Sequence, residues 1–304
     1  MSLLGINVPP GFTVTTEVCN YFMKHGNVPD SFDEELKQSL KNLEKTTNKI
    51  FDSDKKPLLL SVRSGGKISM PGMMDSILNI GINDKNLESL SSDFNDERFA
   101  LDSYRRLIQM YGNVVLNIEM DRFEAILDNK KRIDGVEKDN EFNPDQLRWI
   151  IDAFKTTVER FSKKSFPQDP NIQLNGAIEA VFKSWSNKRA VTYRKINNIP
   201  DEWGTAANVQ SMVFGNLNEK SGTGVAFTRF PSTGKNKLYG EYLMNAQGED
   251  VVAGIRTPFP IGKHEKNTQP SLEEVNPAMY KEIKDIADKL EMHYKDVQDI
   301  EFTI

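Results

Sequence analysis

The chain has 304 residues, enough for about two domains whose cores need no covalent staples. Its single cysteine, Cys19, excludes an internal disulfide framework and fits a reducing compartment, and a formal net charge of −5 argues against a general nucleic-acid binder while leaving room for a local cationic cleft. No stretch approaches the roughly 18 apolar residues that span a bilayer, and the N-terminus lacks a basic segment followed by an apolar one, so a soluble cytoplasmic protein without membrane or nucleic-acid partners is expected.

Residues 33–50 set Leu36, Leu40, Leu43 and Ile50 at helical spacing among lysines and glutamates, which predicts an amphipathic helix. An apolar run at residues 57–62 predicts a strand that delivers Arg63, then Ser64, Gly65 and Gly66, then Pro71, Gly72 and two methionines. Gly65, Gly66 and Gly72 tolerate positive φ and leave backbone N–H groups uncovered, while Arg63 presents a planar fork of donors suited to phosphate oxygens. The same segment also fits an ordinary surface loop, because it is neither a Walker loop nor a dinucleotide fingerprint.

From Asp84 to about Pro167 the pattern is helical and highly charged, and its clearest helix opens at Asn143 as N-cap with Pro144 in the first position. This block reads as a helical insertion between two parts of a sheet domain. Pro167 and Pro170 mark a boundary, and a helix follows over Leu174 to Asn197. The period then shifts toward two, with antiparallel strands expected at residues 209–214, 224–229, 237–245 and 251–256. Ser221-Gly222-Thr223-Gly224 falls at or near the tip joining the first two. A tip of this kind folds over a triphosphate through backbone N–H groups and the Thr223 hydroxyl, although a plain hairpin turn needs the same residues. Asn276-Pro277 opens a helix carrying Met279, Ile283, Ile286 and Leu290. In the last strand, residues 297–304, alternation puts Asp299 and Glu301 on one face and Ile300 and Phe302 on the other. Two carboxylates backed by core residues suit a hard Mg²⁺ ion, and a half-exposed edge strand would look alike.

The run from Ser61 to Asp84, SVRSGGKISMPGMMDSILNIGIND, resembles the nucleotide-binding signature of the pyruvate, phosphate dikinase family. SGTGVAFTR at residues 221–229, NAQGEDVVAG at 245–254 and VQDIEFT at 297–303 resemble further segments in family order, with Phe230 standing where the family commonly has asparagine. The related water dikinases share the arginine-serine pair but not the Ser69-Met-Pro-Gly-Met-Met-Asp75 continuation. The resemblance implies an α/β ATP-grasp fold: residues 1–83 with 168–213 as a first lobe, 84–167 as a helical insertion, and 214–304 as a second lobe.

By the same resemblance Arg63, Asp299 and Glu301 are catalytic, with Asp299 and Glu301 as Mg²⁺ ligands. Gly72, Gln210, Met212, Ser221, Gly222, Thr223, Gly224, Glu249 and Asp250 bind ATP, and Glu241 is a lesser candidate near the metal. Arg106, in FALDSYRRLIQMYG, is a candidate contact to phosphate or a partner domain. The family's inserted lysine precedes a glycine; here Asp134 precedes Gly135, and none of Lys130, Lys131 or Arg132 upstream is assigned that role. The implied reaction moves the β-phosphoryl of ATP to a histidine while the γ-phosphoryl ends on inorganic phosphate as pyrophosphate. His25, His264 and His293 lie outside any threonine-serine-histidine carrier motif, so the phosphohistidine domain and the pyruvate-binding barrel are expected elsewhere in a homodimeric full-length protein. The family's glycine-glycine-lysine segment is expected before residue 4 and its glutamine-threonine-arginine strand after Ile304, so the fragment alone is expected to bind MgATP weakly and to be inactive with pyruvate. The competing readings are a water dikinase acting on pyruvate or glucan, and a catalytically silent nucleotide-binding regulator.

Overall fold

Alternation of apolar and polar residues in three strands decides where the first core lies. The computed structural model describes residues 1–252, 256–263 and 269–304, except the side chains of Glu249 and Val252; His264 is outside the described residues. Two compact units are present, one formed by Pro9–Met212 and the other by Met1–Val8 with Val213–Ile304.

The first unit contains β1 (Gly11–Val14), α1 (Thr16–His25), α2 (Phe32–Thr47), β2 (Leu60–Gly65), β3 (Ser76–Ile80), α3 (Leu87–Phe94), α4 (Glu97–Val114), α5 (Met120–Asp134), α6 (Pro144–Ser162), α7 (Pro170–Ser184), α8 (Lys188–Ile196) and β4 (Ala206–Ser211). Its antiparallel sheet runs β1-β4-β2-β3. Val62, Ile77 and Val209 are fully buried on one face, and α7 packs against β2, β3 and β4. The opposite face carries Thr13, Asn208, Arg63 and Ser76 side by side across the four strands. The predicted strand at residues 57–62 therefore starts later and continues through Arg63, which is a strand residue and not a loop residue.

The helices of residues 84–167 belong to this same unit. α6 begins with a full capping box, the Asn143 side chain accepting from the Gln146 N–H at 3.0 Å and Gln146 answering at 2.8 Å. Phe123 and Phe154 meet edge to face at 5.0 Å, and the Phe123 ring sits against Gly112, where a Cβ would approach it to 2.6 Å. The single helix expected over 174–197 is two helices. The chain turns at Trp185–Asn187, where Trp185 donates its indole N–H to the Asp201 carbonyl at 2.9 Å and Arg194 donates to the Trp185 carbonyl.

The second unit holds β5 (Gly222–Phe227), β6 (Tyr239–Met244), α9 (Gly248–Val252), β7 (Phe259–Pro260), α10 (Leu272–Val275), α11 (Pro277–Tyr294) and β8 (Asp299–Thr303), with sheet order β7-β6-β5-β8. Ala226, Tyr242, Ile283 and Ala287 form its core, and Ile300 and Phe302 of β8 pack against them. Asn276 caps α11 by accepting from the Met279 N–H at 3.2 Å.

Two further expectations are corrected by the second unit. Residues 251 and 252 of the strand expected at 251–256 lie in α9, and residues 253–255 fall outside the described residues. Asp250 favours the helix by accepting the Gln247 backbone N–H at 2.9 Å, as an acid in a first helical turn does. Ser221–Gly224 is not a hairpin tip between 209–214 and 224–229. β4 belongs to the first unit's sheet, and Gly222, Thr223 and Gly224 lie inside β5, paired on both sides.

Candidate functional site

The residues singled out in the sequence divide into two groups, one in each unit. In the first unit, Arg63 is exposed at the middle of the polar face, in register with Asn208 on β4 and Ser76 on β3. Asn208 is held by the Thr13 hydroxyl, which donates to its side-chain oxygen at 2.7 Å. Gly65 keeps the space above Asn208 clear, since a Cβ there would come within 2.6 Å of the amide nitrogen. Gln210 shares the Arg63 face two positions along β4, and its amide donates to the Pro9 carbonyl at 2.8 Å. Met212, just past β4, donates its backbone N–H to the Leu59 carbonyl at 2.9 Å.

The signature loop between β2 and β3 contains a turn in which the Met73 N–H donates to the Met70 carbonyl at 3.1 Å. Pro71 and Gly72 are its central residues, and Gly72 has φ +69°, the pattern of a type II turn. Below the turn Asp75 is fixed by an ion pair with Arg189 and by the Asn187 amide at 2.9 Å, and Arg189 also donates to the Met73 carbonyl at 3.0 Å. Arg106 lies in the helical block, where its Nε donates to Asp102 at 3.0 Å. The basic residues of α5 are engaged locally as well: Lys130 with Asp134 at 2.9 Å, Lys131 with Asp139 at 2.6 Å, and Arg132 with the Asn129 side chain at 2.8 Å.

In the second unit, Asp299 and Glu301 are exposed on one face of β8 while Ile300 and Phe302 turn to the core. The register extends this face: Glu301 pairs with Val225 of β5, and Val225 pairs with Glu241 of β6. Glu301, Val225 and Glu241 thus form one row, with the two glutamates roughly 10 Å apart at their backbones. Thr223 lies on this face too, its hydroxyl donating to the Phe302 carbonyl at 3.2 Å. Partial burial pushes the Asp299 carboxyl above its ordinary range, and the neighbouring Glu301 carboxylate adds to the rise. Asp299, Glu301 and Glu241 are hard-oxygen donors of the type Mg²⁺ takes, but they are spread along and across the strands, and no group of three or more His, Cys, Asp or Glu side chains placed to hold a metal ion occurs among the described residues.

The glycines of β5 have a packing role that the sequence did not show. Gly222 exchanges hydrogen bonds with Ile304, donating at 3.2 Å and accepting at 2.7 Å, so its N–H is already used in the sheet. A methyl at Gly224 would lie 2.4 Å from Phe302 Cζ and 2.6 Å from the Glu241 carbonyl oxygen. Gly224→Ala is therefore expected to destabilise this unit by about 1–3 kcal/mol, read as a lower urea midpoint. An unchanged midpoint would show that Phe302 has room to withdraw. Ser221 is buried beside the true turn, its N–H donating to the Asn218 carbonyl at 3.0 Å. Asp250 is buried on α9. The Glu249 side chain is outside the described residues.

Sequence reasoning missed Thr13, Asn208 and Ser76 as neighbours of Arg63. The strand alternation of Asn208 with Gln210 was the available signal, but register across four strands is not written in one segment.

Two antiparallel sheets, each with helices on one face and polar or charged side chains on the other, make this an α/β protein, consistent with an ATP-grasp-type domain. The sequence matches the family described as "Pyruvate phosphate dikinase, AMP/ATP-binding domain" over residues 30–275, and the chain belongs to that family. It is 50% identical over 309 residues to a pyruvate, phosphate dikinase of Rhizobium meliloti, 50% over 306 residues to that of Clostridium symbiosum and 47% over 307 residues to that of Entamoeba histolytica. Each alignment covers 100% of this chain and 34% of the relative, so the chain spans about a third of the length of these relatives.

Proposed function

We propose that the chain is the nucleotide-binding region of a pyruvate, phosphate dikinase. It binds MgATP and inorganic phosphate, and it transfers the β-phosphoryl of ATP to a histidine on a separate domain. ATP, phosphate and the histidine thereby give AMP, pyrophosphate and phosphohistidine, and a pyruvate-binding barrel of the same homodimeric, cytoplasmic protein completes phosphoenolpyruvate formation. The three-part division into a first lobe, a helical insertion and a second lobe belongs to this reading.

The observation that carries it is the placement of Arg63, exposed at the centre of a polar sheet face between Asn208 and Ser76, on a strand that buries Leu60 and Val62 on its reverse side. A guanidinium carried on a paired strand is fixed in position for phosphate oxygens, which is how positioning and electrostatics catalyse phosphoryl transfer. Gln210 on the same face and Met212 beyond it would contact the base, while Gly72, Ser221, Gly222, Thr223, Gly224, Glu249 and Asp250 would surround the nucleotide. Asp299 and Glu301 would hold Mg²⁺, which when bound neutralises charge on the phosphates. No residue of this chain has to act as nucleophile. Arg106 stands as a candidate contact to phosphate or the carrier domain.

The deciding experiment is ATP/AMP exchange by a full-length protein carrying this segment, with and without inorganic phosphate. Exchange that requires phosphate supports the reading. Exchange without phosphate would make it a water dikinase, and none in either condition a silent regulator. Arg63→Lys keeps the charge but loses the bidentate fork, and is expected to lower exchange by at least about tenfold. Full activity in that variant would reduce Arg63 to a distant charge.

A further inference from the structure

The strands that carry Arg63 and Ser76 change register between them. Leu60 pairs with Ile80 and Val62 with Ile77, so a step of two residues along β2 is matched by three along β3, and all four side chains are fully buried. Ser61 alone stands opposite Leu78 and Asn79, which makes this a β-bulge.

The bulge decides what stands beside Arg63. Carried on without it, the Leu60–Ile80 register would set Arg63 against Ile77 and turn that buried side chain onto the polar face, because a one-residue slip exchanges the two faces of a strand. With the bulge, Arg63 meets Ser76 and Ile77 stays in the core.

Asn79 supplies the backbone that the bulge needs. Its φ of +61° is left-handed, a region that asparagine and glycine enter far more readily than branched residues. Helix α4 holds both residues of the bulge: the Asn79 amide donates to the Ser103 carbonyl at 3.2 Å, and the Leu78 N–H donates to Met110 Sδ at 3.2 Å. Ser103 and Met110 are two turns apart on one face of that helix. Asn79 is fully buried, yet its Oδ1 has no hydrogen-bond partner among the described residues. A buried amide kept for its hydrogen bonds would use both ends, so the main contribution of Asn79 is its backbone conformation.

We infer that Asn79 is a positioning residue for the Arg63 face. Its left-handed backbone fixes the bulge, and the bulge fixes the register that seats Ser76 beside Arg63 where the signature loop rejoins the sheet. The consequence for catalysis rests on the nucleotide reading of Arg63, whereas the consequence for register stands apart from it.

Two substitutions separate backbone from side chain. Asn79→Gly loses the amide and keeps positive φ, whereas Asn79→Val keeps a buried side chain and resists positive φ. Cross-strand NOEs in the 304-residue chain report the register. Contacts between Arg63 and Ser76 are expected to persist in Asn79→Gly and to give way to contacts between Arg63 and Ile77 in Asn79→Val. In a full-length protein carrying this segment, ATP/AMP exchange should stay within about twofold of wild type in Asn79→Gly and fall at least about tenfold in Asn79→Val, the scale of a misplaced catalytic contact. Both variants lose the bond to Ser103, so a merely stabilising side chain would lower exchange in both alike. Should Asn79→Val fail to fold, Asn79→Ala, which adds only the strain of a Cβ at positive φ, is expected to show both sets of contacts. Arg63–Ser76 contacts alone in the folded Val or Ala variant, or an equal loss of exchange in Asn79→Gly and Asn79→Val, would overturn the inference. A register response with no exchange even in the wild type would uphold the role of Asn79 in register and bring down the nucleotide reading instead.

Discussion

Glu301→Ala is expected to cut pyrophosphate formation by at least about a hundredfold in a full-length dikinase carrying this segment, the usual scale for removing one electrostatic stabiliser of a transition state. The size follows from how β8 is held. Ile300 and Phe302 on either side of Glu301 pack into the core of the second unit, so the strand does not slide to offer another group. The nearest carboxylates are poor substitutes. Asp299 is two residues away, roughly 7 Å along the strand, and Glu241 lies two strands across. Glu301→Gln preserves the shape and removes the charge, and it is expected to lose activity to a similar degree. Near wild-type pyrophosphate formation by either variant would take Glu301 out of the chemistry.

The largest effect on stability is expected at Asp102 in α4, whose replacement by alanine should cost about 3–5 kcal/mol. Its carboxylate is 4% exposed and accepts from Arg105 Nε at 3.1 Å, Arg105 Nη2 at 2.5 Å and Arg106 Nε at 3.0 Å. Removing it strands the Arg105 guanidinium, itself only 3% exposed, with Gln109 and a distant Asp139 carboxylate at 3.8 Å. Urea unfolding measures the loss, and Arg105→Met in the same background should restore part of it by removing the orphaned charge. A fall of less than about 1 kcal/mol would show that the network is solvated. Burial pushes the Asp102 carboxyl up, but the Arg105 and Arg106 guanidiniums outweigh it and hold the group well below the usual carboxylate range. Because the folded value lies below the unfolded value of about 3.9, the stabilisation is complete above that pH and fades as pH falls beneath it. The difference between the wild type and Asp102→Ala should shrink over the same interval.

What the sequence made legible were features that a short segment settles by itself. The capping residues Asn143 and Asn276 and the alternation of Asp299, Ile300, Glu301 and Phe302 stand in the structure as expected, as does the helical stripe of Leu36, Leu40 and Leu43, whereas Ile50, expected to extend it, lies beyond the end of α2 in a bridge to Pro57. The misread elements depended on contacts that residue propensity alone does not show. Val251 and Val252 have strand propensity, yet they follow an acid that caps their helix. Ser221–Gly224 has the composition of a turn, but its glycines serve the Phe302 ring and the neighbouring backbone, which come from elsewhere in the chain. Arg63 stands out within one segment as a candidate ligand-binding cation, whereas Asn208 and Thr13 beside it become visible only through strand pairing.

The order β1-β4-β2-β3 has a consequence for how the chain is made. Thr13 and Asn208 face each other 195 positions apart, and β4 is the piece that enters between β1 and β2. At ordinary translation rates of roughly 5–20 residues per second, β1 waits about 10–40 seconds for its neighbour. Meanwhile the β2–β3 pair and the helices from α3 to α6 have their contacts close at hand and close first. Until then Arg63 stands on an edge strand, and the polar face takes shape when β4 leaves the ribosome and zips the two halves together.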